Sequence, residues 1–215
     1  MWILASRGRP HNLKRFIDCW IDTNGSTQIY LRLDQCDPEI ENYKKLNFPK
    51  EFNVVIGPRI KLSASSNEMF KEFPNEPWYG LLSDDLIPRT KAWDRCLVDA
   101  ASTNLIAQCE DLTIHSIRCQ HPCIGGDLIR KVGWFLLPVC IHYYSELPRR
   151  ELTVKHPEIY RYLTDVVVEH AHYVYGTAEK DSTYQDASDI GKQDKQSWKE
   201  WKRDNLEDFY KLATA

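Results

Sequence analysis

Two adjacent carboxylates are the residues with the clearest chemical potential in this sequence. Asp84 and Asp85 directly follow an apolar segment at residues 78–82 that has the composition of a buried strand. Two acidic side chains side by side are unfavourable unless a positive charge compensates them. Their oxygens suit Mg²⁺ or Mn²⁺, and such an ion would neutralise a diphosphate leaving group. The alternative is a solvated turn in which one carboxylate caps the helix that follows.

Two histidines late in the chain are candidate ligands for the same ion. His170 and His172 follow a short apolar segment at residues 166–168. Their spacing of two places both on the same side if the strand pattern continues, and imidazole is a common ligand for borderline cations. The alternative is a pair of ordinary polar histidines at the end of a strand.

A further group of possible metal ligands lies in the middle of the chain. His115, Cys119, His121 and Cys123 fall within nine residues, a composition that could hold zinc. The spacing is not that of a standard zinc site, and no second cysteine pair follows at the required distance. The favoured interpretation is therefore buried or surface thiols.

The elements that must position these residues alternate between strand and helix in the first half of the sequence. Apolar runs with strand character are separated by segments with helical spacing, which predicts an α/β layer with a largely parallel sheet and its ligand crevice at one edge. The second half is less regular, with a polar loop expected near residues 182–195 and a C-terminal helix at 194–213 that docks on the core. The predicted strands cover residues 2–5, 29–33, 52–56, 78–82, 105–108, 112–117 and 166–168.

Length and composition indicate a globular protein of one domain. The chain has 215 residues, 42% hydrophobic residues and a net charge of −3, so overall charge does not indicate a nucleic-acid binder. We expect no membrane span and no signal peptide. The seven cysteines are expected to be reduced thiols in a cytoplasmic protein, which means the host cytoplasm if the gene belongs to a phage.

Two segments carry a resemblance to a known family. Residues 79–94, YGLLSDDLIPRTKAWD, resemble the metal-binding segment of GT-A glycosyltransferases, especially the compact bacteriophage enzymes of the family 2 type. Residues 3–10, ILASRGRP, are similar to the first strand and donor loop of those enzymes. The resemblance implies a GT-A (Rossmann-like) fold with a mixed, mostly parallel sheet flanked by helices. Residues 1–103 would form the nucleotide-sugar-binding half, and residues 104–185 an irregular acceptor half.

The resemblance implies roles for the acidic and histidine residues. Asp85 would be the principal metal ligand, and Asp84 would support it or contact the ribose of the donor. Asp34, which ends the second predicted strand, would lie near the nucleotide base unless it simply begins a turn. A late histidine would complete the metal shell, and His170 is favoured narrowly over His172.

Further donor contacts would come from the loops after the first and third strands. Ser6, Arg7 and Arg9 would lie beside the donor, where guanidinium groups suit phosphate geometry. The alternative for the two arginines is that they are exposed loop cations. Asn67 could hydrogen-bond the donor, and a plain helix cap is its alternative.

The acceptor side requires a base if the transfer inverts the sugar configuration. Asp127 and Glu146 are the two candidates. The family pattern has its acidic residue near the position of Ser145, so the assignment of the base stays open between them. Gly125 and Gly126 resemble a glycine pair that lets the backbone approach the acceptor, although such a pair also suits a tight turn.

The predicted function is the transfer of a sugar from a nucleotide-sugar, most simply a UDP-sugar, to an acceptor hydroxyl with Mn²⁺ or Mg²⁺. In a phage setting the acceptor would be a hydroxymethylated base in DNA, and otherwise a glycan such as a cell-envelope polysaccharide. A nucleotidyltransferase and a non-catalytic nucleotide-binding module on the same fold are the alternatives from other classes.

Overall fold

The computed structural model describes residues 1–113, 120–179 and 182–215, the last range by backbone alone up to residue 189. Strands and helices alternate in the first half as predicted. These elements are β1 (Trp2–Ser6), α1 (Pro10–Asp22), β2 (Ile29–Asp34), α2 (Ile40–Tyr43), β3 (Phe52–Gly57), α3 (Leu62–Glu72), β4 (Trp78–Ser83), β5 (Leu86–Pro88) and α4 (Trp93–Ala101). The second half contains β6 (Ile106–Glu110), β7 (Cys123–Gly125), α5 (Gly126–Val132), α6 (Leu147–Lys155), β8 (Tyr160–His170) and α7 (Ser182–Thr214), with 3₁₀ turns at Pro157–Ile159 and Tyr173–Tyr175.

The described strands form one mixed sheet in the order β3-β2-β1-β4-β7-β6-β8-β5. The pairs β3–β2, β2–β1, β1–β4 and β6–β8 are parallel, whereas β7 pairs antiparallel with both β4 and β6, and β5 pairs antiparallel with β8. This confirms the predicted α/β class with a mostly parallel sheet flanked by helices, as in a Rossmann-like GT-A fold.

Local sequence explains the first β-α unit. The buried apolar residues of β1 lie at the centre of the sheet, and Pro10 occupies the first turn of α1, where its missing N–H has no helical partner to lose. The buried side chains of α1 follow helical spacing and pack on the sheet. They are Leu13, Phe16, Ile17 and Trp20.

The Trp-Asp pair after β5 has a structural role. Trp93 is fully buried, with its ring centroid 5.4 Å from that of Trp2. The Asp94 carboxylate accepts hydrogen bonds from the backbone N–H groups of Ser26 and Thr27, at 2.7 and 2.8 Å. This part of the motif therefore fixes the turn before β2 against the start of α4.

Several predicted boundaries were wrong. Residues 182–195 are helical and not a loop, since α7 begins at Ser182. Strand β8 starts six residues before the predicted 166–168, and β5 was not predicted at all. Residues 112 and 113 are not in a strand, and the rest of the predicted strand at 112–117 lies outside the described residues. None of the helices in the described ranges is long and apolar enough to cross a membrane.

Candidate functional site

Asp84 and Asp85 lie where the order of the strands in the sheet reverses, between β1 and β4. From β1 the chain builds β2 and β3 on one side and then returns to place β4 on the other side of β1. In open α/β sheets, ligands bind in the crevice at such a point, beyond the carboxyl ends of the strands. The loops after β1 and β4 flank this crevice, and a 2.5 Å hydrogen bond from Ser6 Oγ to Asp84 Oδ2 joins them.

Both carboxylates of the pair are buried among groups that compensate their charge. Asp84 and Asp85 are each 5% exposed, which excludes the solvated-turn alternative. Arg9 Nη1 lies 3.5 Å from Asp84 Oδ1 and 3.7 Å from Asp85 Oδ2. The hydroxyl of Ser83 donates to Asp85 Oδ1. The predicted donor residues Ser6 and Arg9 therefore contact the pair directly.

Strand pairing brings His170 to Asp85 across 85 positions of sequence. Leu86 of β5 pairs with His170 of β8, and Ala171 N–H donates to the Asp85 carbonyl at 3.0 Å. As a result His170 Nε2 lies 3.5 Å from Asp85 Oδ1, and the His170 side chain is largely buried. The structure therefore places His170 beside Asp85, and its role in completing a metal shell stays a prediction.

His172 occupies a different environment from His170, although their rings lie 5.2 Å apart. It is partly exposed, and its Nδ1 accepts a hydrogen bond from the backbone N–H of Val174 at 3.2 Å. That acceptor is therefore engaged in starting the 3₁₀ turn at Tyr173–Tyr175. The geometry favours His170 over His172 as the imidazole of the site.

Burial and charge push the pKa values of the two carboxyls apart. Burial, and after it the neighbouring charge of Asp85, raises the pKa of Asp84. Burial also acts to raise the pKa of Asp85, but the hydrogen bond and charge of His170 and the hydrogen bond of Ser83 outweigh it, so the pKa of Asp85 is lowered. Asp85 is therefore the carboxyl that holds its negative charge most firmly.

The donor atoms of the site match a hard divalent cation in type. Carboxylate oxygens and an imidazole converge there, and His170 Nδ1 is buried without a hydrogen-bond partner among the described residues. Among those residues, no group of three or more His, Cys, Asp or Glu side chains is arranged to hold a metal. The donor atoms of Asp85 and His170 therefore suit such an ion in chemical type, and their role as its ligands stays a prediction.

His121 also lies at this site, which the sequence did not predict. Its Nε2 is 3.0 Å from Ser83 Oγ, and its ring centroid is 4.8 Å from that of His170. Because Ser83 Oγ donates to Asp85, Nε2 of His121 is the donor to Ser83. A histidine two residues before a strand gives no local signal of this contact, since β7 must first pair with β4.

The zinc alternative gains no support from the described residues. His115 and Cys119 lie outside them. Cys123 is buried in the hydrophobic core, where burial raises the pKa of its thiol. A zinc ligand must be a thiolate, so this environment does not favour one.

Arg7 and Asp34 form a second polar pair beside the Asp pair. Arg7 Nη1 lies 3.1 Å from Asp34 Oδ2, and Arg59 Nε lies 3.9 Å from the same oxygen. Arg7 and Asp34 are partly exposed and Arg59 is exposed, and the three lie at the carboxyl ends of β1, β2 and β3. The structure therefore brings the predicted donor residues Arg7 and Asp34 to the same edge of the sheet as Asp84 and Asp85.

Asn67 is engaged inside the protein. Its side-chain amide donates to the Leu136 carbonyl at 2.7 Å, and its side-chain oxygen accepts from the backbone N–H groups of Phe135 and Leu136 at 2.7 and 3.0 Å. It lies in the middle of α3, which begins at Leu62, so it is not a helix cap. The contacts of Asn67 fix the loop before α6 and leave its donor role a prediction.

Asp127 lies far from the Asp pair. Gly125 pairs with Trp78, the first residue of β4, whereas Asp84 follows the last residue of that strand. Six residues of strand separate these ends by about 20 Å. The Asp127 carboxylate pairs instead with Arg130 Nη2 at 2.5 Å. Asp127 is therefore too distant to serve as the base for a sugar held at the Asp pair.

The glycine pair packs against the chain itself. A Cβ on Gly125 would lie 2.2 Å from backbone atoms of Ser102 and Thr103, and one on Gly126 would lie 2.2 Å from the carbonyl oxygen of Glu76. These glycines allow two backbone segments to approach each other, so the expectation that they face an acceptor was wrong.

Glu146 lies at the N-terminal end of α6, in a loop that a buried carboxylate anchors. Asp194 of α7 is fully buried and accepts 2.8 Å hydrogen bonds from the backbone N–H groups of Ile141, His142 and Tyr143. The sequence contained no sign of this anchor, because Asp194 is one of many charged residues in a polar segment.

The anchored loop lies within electrostatic range of the Asp pair. Burial lowers the pKa of His142, and the charges of Arg9 and Asp85 contribute to the result. Glu146 lies four residues after His142 on this loop, and its role as the base stays a prediction.

Solved structures share this fold at low sequence identity. A mannosyltransferase from Pyrobaculum calidifontis, PcManGT, in complex with GDP-Man and Mn²⁺, superposes with a TM-score of 0.57 at 10% identity, covering 99% of this chain and 72% of its own. A mycobacterial protein superposes with a TM-score of 0.57 at 10% identity over 91% of this chain and 71% of its own. HddC from Yersinia pseudotuberculosis has a TM-score of 0.50 at 10% identity over 78% and 91%. No protein-family model and no curated protein matches the sequence.

The fold and the position of the site together define the class of this protein as GT-A-like. The strand order, the switch between β1 and β4 and the acidic pair after β4 are the features that carry this assignment. Identities of 10% show the fold and do not by themselves carry an activity.

Proposed function

We propose that this protein is a glycosyltransferase that moves a sugar from a nucleotide-sugar donor to an acceptor hydroxyl. The observation that carries the proposal is the buried Asp84–Asp85 pair at the switch point of the sheet, in contact with Arg9 and His170. Two buried carboxylates are costly to maintain, and a stable fold retains them most readily where a ligand uses them. PcManGT, which shares the fold and binds GDP-Man and Mn²⁺, supports a nucleotide-sugar as the ligand of this crevice.

The donor would lie across the carboxyl ends of β1, β2 and β4. Arg7 and Arg9 would contact its phosphates, because a guanidinium offers paired donors to phosphate oxygens. Asp34 would contact the nucleotide, and Asp84 the ribose or the metal. We expect a UDP-sugar first and a GDP-sugar second, the latter because PcManGT binds GDP-Man.

Asp85 and His170 would hold Mn²⁺ or Mg²⁺. When bound, such an ion neutralises the charge that develops on the leaving diphosphate. Asp85 is suited to this role because its buried carboxylate lies 3.5 Å from the imidazole of His170, so one ion can reach both side chains.

Glu146 is the proposed base if the transfer inverts the sugar configuration. It would take the proton from the acceptor hydroxyl, and the Asp194 anchor would hold its loop in place. A hydroxymethylated DNA base in a phage setting, or a cell-envelope glycan, would supply that hydroxyl.

The test is a screen of UDP- and GDP-sugars with Mn²⁺, in which release of nucleoside diphosphate is measured. We expect turnover that Asp85→Asn reduces by 100-fold or more, whereas Asp18→Asn, an exposed aspartate on α1, has no effect. Mass spectrometry of hydroxymethylated DNA and of a glycan acceptor identifies which one gains a hexose or pentose.

Three results would contradict the proposal. Release of pyrophosphate would indicate a nucleotidyltransferase. Thermal stabilisation by UDP or GDP with Mn²⁺ but no turnover with any acceptor would indicate a binding module. Full activity of Asp85→Asn would exclude the Asp pair from the reaction.

A further inference from the structure

The guanidinium of Arg9 occupies the position between the two carboxylates. One atom, Nη1, lies 3.5 Å from Asp84 Oδ1 and 3.7 Å from Asp85 Oδ2, and the Arg9 side chain is 6% exposed. The backbone of Arg9 is fixed separately, because its N–H donates to the Tyr43 hydroxyl at 2.8 Å and its carbonyl accepts from Leu13 N–H at 3.1 Å. These hydrogen bonds of the loop are made by the backbone, so they do not depend on where the guanidinium lies.

The four oxygens of the pair divide into two sets. Asp84 Oδ2 accepts a hydrogen bond from Ser6. Asp85 Oδ1 accepts one from Ser83 and also lies 3.5 Å from His170 Nε2. The other two oxygens face Arg9. An ion that bridges the two carboxylates has to use the oxygens that face Arg9, because Ser6 and Ser83 already donate to the other two. A divalent cation binds carboxylate oxygens at about 2.0–2.2 Å, so such an ion would meet the guanidinium. Two positive charges at such a separation repel strongly in a buried site.

We propose that Arg9 and the divalent cation are alternative counter-charges for the Asp pair, so that cation binding displaces the Arg9 guanidinium. The displaced guanidinium is then available to the phosphates of the donor, with which it forms charge-assisted hydrogen bonds. This inference rests on the proposed function, since it deepens the account of the same site. It predicts an antagonism between Arg9 and metal that is measurable without any substrate.

The test is Mn²⁺ binding to the full chain without nucleotide, followed by the electron paramagnetic resonance signal of free Mn²⁺. We expect Arg9→Gln to bind Mn²⁺ at least tenfold more tightly than the wild type, because the competing charge is gone. Arg9→Lys keeps that charge and should stay within threefold of the wild type. Lys14→Gln, which removes an exposed charge of α1 that pairs with Asp18, is the matched control and should leave Mn²⁺ affinity unchanged.

A second measurement uses the wild-type protein and does not depend on the folding of a variant. The Nε–H resonance of Arg9 is followed by ¹⁵N NMR while Mg²⁺ is added to saturation, with the resonance of the surface residue Arg130 as the reference. We expect the Arg9 resonance to move and that of Arg130 to stay constant.

Distinct results separate a failure of this inference from a failure of the proposed function. Two results would overturn the proposed displacement of Arg9 by the cation. They are Mn²⁺ binding by Arg9→Gln that is equal to or weaker than that of the wild type, and an Arg9 resonance whose chemical shift does not change when Mg²⁺ binds. Neither result would contradict the proposed sugar transfer. Absence of Mn²⁺ binding in every variant would overturn both the exchange and the cation site. Release of nucleoside diphosphate from nucleotide-sugars then decides separately whether transfer occurs.

Discussion

Replacement of Asp194 should destabilise the protein far more than replacement of other charged residues on α7. Its carboxylate is fully buried and accepts three 2.8 Å hydrogen bonds from consecutive backbone N–H groups, one on Oδ1 and two on Oδ2. Asp194→Ala leaves all three donors unsatisfied. Each unsatisfied buried donor costs about 1–3 kcal/mol. The three donors belong to residues that are only partly buried, so we take about 1 kcal/mol for each of them. We therefore expect the free energy of unfolding to fall by about 3 kcal/mol.

Asp194→Asn allows a finer check of the same reasoning. The amide oxygen can accept the two hydrogen bonds that Oδ2 accepts, but the amide N–H₂ then faces the backbone N–H of Ile141. One hydrogen bond is lost and two donors meet, so we expect a loss of about 1–2 kcal/mol. The order of stability should therefore be wild type, then Asn, then Ala.

The assay is urea unfolding followed by tryptophan fluorescence, with the free energy extrapolated to water. Asp204→Asn is the matched control, since Asp204 lies on the same helix, is exposed and pairs only with its neighbour Arg203 in the described structure. If Asp194→Ala lowered stability no more than this control does, the three hydrogen bonds would not be what anchors the loop. Equal falls in stability for Asp194→Asn and Asp194→Ala would also contradict the argument, because the two variants lose different numbers of hydrogen bonds.

Two further predictions concern His121 and the glycines. Burial, and after it the charge of His170, lowers the pKa of His121 from 6.5 to about 3, so below pH 6.5 the unfolded chain takes up its proton first and stability falls. Because part of this side chain is exposed, we expect His121 to lower the free energy of unfolding by at most about 2 kcal/mol between pH 7 and pH 5. Urea unfolding of His121→Gln should show a correspondingly smaller fall over this range. Identical pH profiles of stability for the variant and the wild type would refute the prediction. Gly125→Ala should lower stability by about 1–3 kcal/mol because its Cβ would lie 2.2 Å from backbone atoms. Gly191→Ala should raise stability by about 0.5–1 kcal/mol, because this glycine lies in mid-helix and its Cβ would be 3.5 Å from Tyr143. Similar melting temperatures for the two variants would contradict both glycine predictions.

Local pattern was sufficient for the first half of the fold and for the position of the Asp pair. Apolar runs that end in polar residues predicted β1, β2, β3 and β4 within about one residue of their observed bounds. Asp84 and Asp85 were predicted correctly at the end of β4 because a strand and the residues that follow it are adjacent in sequence. The second half was predicted less well, since β5 and β7 have three residues each and β8 carries polar residues along most of its length.

The environment of each candidate residue depended on pairings that no local pattern encodes. Asp127 was one of two candidates for the base, but antiparallel pairing of β7 with β4 places it at the far end of β4 from the Asp pair. His121 was considered only as part of a disfavoured zinc site, and the same pairing places its Nε2 3.0 Å from Ser83 Oγ.

The sequence by itself determined the α/β class, the parallel strands of the first half and the acidic pair that follows the fourth of them, because these depend on spacing between residues near one another in the chain. Only the tertiary structure decided that Arg9 lies between the two carboxylates, that His170 reaches Asp85 through the β5–β8 pairing, and that Asp194 anchors the loop of Glu146. The physical reason is that charges and hydrogen bonds act over a few ångströms of space. The sheet order, and not separation along the chain, sets which groups come that close.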